Sequence, residues 1–170
     1  MGLGLAAIFA GGVMNAPEAW AGSLSSAYVT DPLTGVALDG MDPVSYFTEG
    51  EPRQGLPDYE YDWQGVAWYF VNAANRDAFA RSPATYAPQF GGHSAMGLAR
   101  GYLSDGNPRV YLLVAKRLYL FYSAANRDAF AMAPAAAIDS ARANWVRIVP
   151  TLQASRDPAG PHLDPMQIRP

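Results

Sequence analysis

Apolar positions in this chain fall into short aromatic runs separated by one repeated polar-apolar block. Tyr59-Glu60-Tyr61-Asp62-Trp63 places an aromatic at every second position, the period of a half-buried strand. Gln64-Gly65 supplies a turn, and Val66-Ala67-Trp68-Tyr69-Phe70-Val71 returns as a strand apolar on both faces. A second hairpin is predicted over residues 109–114 and 118–122, with Lys116-Arg117 at its tip. Tyr102-Leu103 is also strand-like, and Asp105-Gly106-Asn107-Pro108 reads as a turn. Each hairpin leads into the same word, Ala-Ala-Asn-Arg-Asp-Ala-Phe-Ala, at residues 73–80 and again at 124–131. Asn72 and Ser123 stand where helix N-caps belong, and Pro83 and Pro134 follow as stops.

The remaining pattern gives three further helical segments. Within residues 35–47 a short strand and turn precede a helix start that Asp42 can cap, with Pro43 at its first position. A helix opened by Gly91-Gly92 and closed by Gly101 is predicted over residues 92–100. A terminal helix over residues 134–149 carries Ile138, Ala141, Trp145 and Ile148 on one stripe, and a flexible tail follows over 150–170. The expected architecture is α+β: two short antiparallel hairpins, each followed by a repeated helix, with a central Gly-flanked helix and a C-terminal helix. Residues 34–149 form the expected domain, 22–33 a linker, and 1–21 a signal peptide. Its basis is the apolar, small-residue run from Gly2 to Met14 and the small-x-small triplet Ala19-Trp20-Ala21, although no Lys or Arg precedes the run. Export to the periplasm or the exterior follows as the expected localisation. The run is too short and glycine-rich for a membrane span, so none is expected in the mature chain.

Composition narrows the chemistry. Half of the residues are apolar and few are charged, which suits a packed domain rather than a disordered chain. A net charge of −3 with no basic cluster argues against nucleic-acid binding. The chain has no cysteine, which removes disulfides, thiolate metal sites and thiol nucleophiles.

Three segments together resemble an exported YHS-domain protein. They are Gly35-Val36-Ala37-Leu38-Asp39-Gly40-x-Asp42-Pro43-Val44-x-Tyr46-Phe47, then Tyr69-Phe70-x-x-Ala73-x-Asn75-Arg76-Asp77-Ala78-Phe79, then Pro83-x-x-Tyr86-Ala87-Pro88-Gln89-Phe90-Gly91-Gly92. The resemblance implies a small α+β unit, related to heavy-metal-associated TRASH-like modules, with metal handling as the usual suggestion. Where similar exported proteins often carry Tyr-Cys after the paired glycines, this chain carries His93-Ser94.

His93 and Met96 are three residues apart, which on a helix offers an imidazole and a thioether on one side to a soft ion such as copper. Further ligands would come from Met41, Asp42 or an aromatic-rich wall. The simpler reading is a partly buried histidine beside a core methionine. Asp39 and Asp42 could pair for acid–base or hard-cation work, but a turn residue and a helix cap account for both. The Asn-Arg-Asp triplets at 75–77 and 126–128 look like a cap and an ion pair, because one active site rarely needs two copies of a helix start. Ser94 adjoins His93 in sequence but diverges from it on a helix, and no Gly-x-Ser-x-Gly or phosphate loop is present. Tyr59, Tyr61, Trp63, Trp68, Tyr69 and Phe70 suit either a core or a small-ligand wall. The functional expectation is a non-enzymatic binding module for a metal ion or small ligand near His93. The alternative is a ligand-free structural or protein-interaction domain.

Overall fold

Alternating aromatics pair with the runs that follow them, as their period predicts. In the computed structural model, which describes residues 27–154, β1 (Leu56–Trp63) and β2 (Val66–Phe70) form one antiparallel hairpin, while β3 (Asn107–Val114) and β4 (Arg117–Phe121) form a second. Gln64 and Gly65 close the first with left-handed backbone, the two-residue turn whose twist matches that of the strands. Ala115 and Lys116 adopt the same conformation at the second turn without a glycine. Each hairpin runs into a copy of the repeated word, α2 (Ala73–Arg81) or α5 (Ala124–Met132). The Asn72 side chain accepts the Asn75 N–H at 2.9 Å, and the Ser123 hydroxyl accepts the Asn126 N–H at 3.3 Å, so both helices carry the predicted N-cap. Pro83 opens α3 (Pro83–Tyr86) and Pro134 opens α6 (Pro134–Ala154). The fold is α+β.

Duplication reaches well beyond the repeated word. Before the first hairpin comes a 3-10 turn, Leu38–Gly40, and a short helix, α1 (Ser45–Thr48). Before the second comes another 3-10 turn, Gln89–Gly92, and α4 (Ala95–Ala99). Leu38, Asp39 and Gly40 have φ of 56°, 51° and 77°; Phe90, Gly91 and Gly92 have 57°, 61° and 86°. Three successive left-handed residues are costly for L-amino acids, and both copies hold them with equivalent backbone bonds. Met41 N–H donates to Leu38 O and His93 N–H to Phe90 O, while Gly55 N–H donates to Gly40 O and Gly106 N–H to Gly92 O. Even the register slips match, between Leu56 and Glu60 in β1 and between Asn107 and Tyr111 in β3.

Several expectations are corrected by this symmetry. The helix expected over residues 92–100 begins only at Ala95, because the paired glycines belong to the left-handed turn. Ser94 is its cap, with the hydroxyl accepting the Gly97 N–H at 3.4 Å. That helix is not a single central element but the second copy of α1. Tyr102-Leu103 is loop, and β3 starts inside the expected turn, at Asn107. Of the expected linker over 22–33, Ala27 is buried, Val29 N–H donates to Gly91 O, and Thr30 bridges Ala37. The terminal helix passes through Pro150 to Ala154. Proline there removes one bond to the carbonyl of Val146, a residue on the solvent side of the helix, where water can replace the donor. The expected signal peptide over 1–21 lies outside the described residues. Among the described residues no helix is long and apolar enough to cross a membrane.

Two cores follow from the two copies. Phe79 stacks on Trp68 and Phe70 at ring separations of 5.1 and 5.2 Å in the first. Phe130 meets their equivalents Tyr119 and Phe121 at 5.5 and 5.0 Å in the second. Strand β4 joins them: Leu118 and Leu120 face the first core, while Tyr119 and Phe121 face the second. Gly55 and Gly106 sit at the equivalent close approaches. A Cβ on Gly55 would lie 2.5 Å from the Tyr69 carbonyl carbon, and one on Gly106 would lie 2.5 Å from Gly92 O. Alanine at either position is expected to cost about 1–3 kcal/mol in a denaturant melt, because rigid backbone must give way. A neutral result would show that the two backbones separate freely.

Candidate functional site

Asp42 is fully buried, and its carboxylate is committed. One oxygen accepts the Val44 N–H at 2.8 Å; the other accepts the Val71 N–H at 2.9 Å and the Asn75 side-chain amide at 2.7 Å. It therefore ties α1, the end of β2 and α2 together. Asp39, its neighbour in the proposed pair, is exposed on the left-handed turn. Partial desolvation of its carboxyl group, with the nearby Asp31 charge, holds its pKa above the usual carboxylate value. The two carboxylates serve different surroundings and form no acid–base pair. Arg76 and Arg127 each pair with the aspartate that follows, at 3.0 and 2.9 Å, on exposed helix surface where such pairs contribute little.

His93 is buried, in extended backbone ahead of α4 rather than on it. Its Nδ1 lies 3.3 Å from the Asp105 carboxylate, and its ring packs on Trp145 at 5.6 Å. Met96, inside α4, packs with Phe130 and its neighbours in the second core and borders a shallow groove between α4, α5 and α6. The helical i, i+3 relation expected of the pair is not formed. Asp42 belongs to the first copy and Met41 to its core. These residues do not converge on one ion, and among the described residues no group of three or more His, Asp or Glu side chains is placed to hold a metal. The donor set does not fit the metal that the resemblance implies. Ser94 is fully buried, accepting the Tyr122 N–H at 3.1 Å besides capping α4, so it is no nucleophile.

One ring away from His93 the chain does form a pocket. An open pocket of about 390 Å³ lies where Tyr28, the tip of the first hairpin, the second left-handed turn and α6 meet. Tyr28, Trp63, Phe90 and Trp145 supply aromatic walls, Gln64 and Gln89 polar groups, and Arg117 the one charged side chain among the described residues. Tyr28 is braced by Trp63 at 5.6 Å and Trp68 at 5.4 Å. Trp145 is held between Phe90 at 6.1 Å and His93 at 5.6 Å. Burial pushes the Tyr28 hydroxyl up to about 12, so the wall stays neutral at physiological pH. Of the aromatics singled out in the sequence, Trp68 and Phe70 are core and Trp63 faces the pocket. Sequence reasoning missed Tyr28, Phe90, Arg117 and Trp145 as neighbours, since they come from four separate elements. No protein-family model matches the chain, and no curated protein or solved structure matches it either.

Proposed function

We propose that this chain is an exported, non-enzymatic binding module of the YHS type that holds a small, largely planar ligand in the aromatic pocket beside His93. The observation that carries the reading is the pocket itself. Four aromatic rings from distant parts of the chain converge on a volume within the ~300–1,000 Å³ range of small-molecule sites. Trp68 and His93, which do not line the pocket, pack on the Tyr28 and Trp145 rings, and such preorganisation lowers the ordering cost of binding. His93 acts here as a support for Trp145 rather than as a metal ligand.

Titration with the neutral apolar fluorophore N-phenylnaphthylamine tests this. Saturable binding at one site per chain is expected, weakened about tenfold or more by Trp145→Ala, which removes a wall. Ala84→Trp, at an exposed position on the rim, is expected to weaken it similarly by filling the space. Absence of saturable binding, or equal affinity in both variants, would defeat the proposal.

A further inference from the structure

We infer that the ligand is an aromatic or planar apolar carboxylate, whose anionic group is received by Arg117. This rests on the reading that the aromatic pocket takes a small ligand. Among the described residues that line the pocket, every side chain is neutral at physiological pH except Arg117, at the start of β4. Among the described residues Arg117 makes no ion pair: the paired carboxylates all belong to other cations or to His93. Its neighbour Lys116 stands beside it along an adjoining depression of about 370 Å³, which shares Ala84 and Arg117 with the pocket. Two adjacent cations without acidic partners, in a chain whose net charge is −3, leave a local positive field at one edge of an apolar slot. Charge complementarity at that edge calls for an anion.

The form of the anion follows from the same geometry. Guanidinium presents parallel N–H donors that match the two oxygens of a carboxylate, and aromatic side chains line the same pocket. A ligand with its charge at one end and a flat apolar body therefore satisfies both parts of the site. Gln64 and Gln89 add neutral hydrogen-bonding capacity at the edge without competing charge. A cationic ligand would set its charge against Arg117, and the described lining residues offer it no carboxylate.

Isothermal titration calorimetry of the full chain with naphthoate and with its neutral analogue naphthylmethanol tests the inference. Naphthoate is expected to bind about tenfold tighter, the worth of a charge-assisted hydrogen bond at a partly exposed edge, with the ratio narrowing as salt is raised. Arg117→Gln is expected to bring the ratio to about one while naphthylmethanol affinity is retained. Arg117→Lys should keep part of the preference, since it retains the charge but loses the fork. Arg117 is exposed at the start of its strand, and a melt of each variant checks that the fold is intact. Equal affinities in the unaltered chain would overturn the anion inference and leave the pocket reading standing. A preference that survives Arg117→Gln would overturn the role of Arg117. Failure of both compounds to bind would overturn the pocket reading together with this one.

Discussion

Phe79→Ala is expected to lower the unfolding free energy by about 3–5 kcal/mol, the cost of emptying a large aromatic site in a packed core. Phe79 is fully buried and touches four rings: Tyr61, Trp63, Trp68 and Phe70, at 6.2, 5.7, 5.1 and 5.2 Å. Its equivalent Phe130 touches two, Tyr119 and Phe121. The rings around Phe79 come from both strands of a hairpin, so they cannot collapse together without moving backbone. Phe130→Ala should therefore fall at the lower end of the same range. Denaturant midpoints with unchanged slopes would report both losses. A loss under about 1 kcal/mol for Phe79→Ala would mean that the first core repacks around the hole, against the close packing usual in protein interiors.

The contrast between these two phenylalanines shows what the sequence could disclose. The repeated word was legible because a capped helix writes its start, its buried face and its stop in adjacent residues. Both hairpins were legible because period-two alternation is also local. The wider duplication was not, since Leu38-Asp39-Gly40-Met41-Asp42 and Phe90-Gly91-Gly92-His93-Ser94 share only one glycine at equivalent positions. What the copies preserve there is backbone conformation, including left-handed Leu38 and Phe90, which no propensity favours. The same fact explains why His93 was expected on a helix. Paired glycines resemble a helix opening, whereas the decisive signal is Ser94 as cap. The pocket was hidden for a different reason. Tyr28, Arg117 and Trp145 become neighbours only when both modules and α6 pack together.

Asp42→Ala is expected to cost about 3–5 kcal/mol, because three buried or partly buried donors lose their acceptor and each such loss costs about 1–3 kcal/mol before relaxation. The duplication makes a sharper test available. At the equivalent point of the second copy stands Ser94, whose hydroxyl accepts the Tyr122 N–H as the Asp42 carboxylate accepts that of Val71. The hydroxyl also caps α4, as the carboxylate caps the start of α1. A serine thus performs two of the three tasks in a nearly identical backbone. Only the Asn75 amide has no counterpart there, and Asn75 is partly exposed, so solvent can take up its donor. Asp42→Ser is therefore expected to lose roughly half of what Asp42→Ala loses. Urea melts of the two variants compare them directly. If serine proves no better than alanine, the match between the copies is one of shape alone, and the carboxylate is needed for its charge at the helix starts rather than for the bonds it accepts.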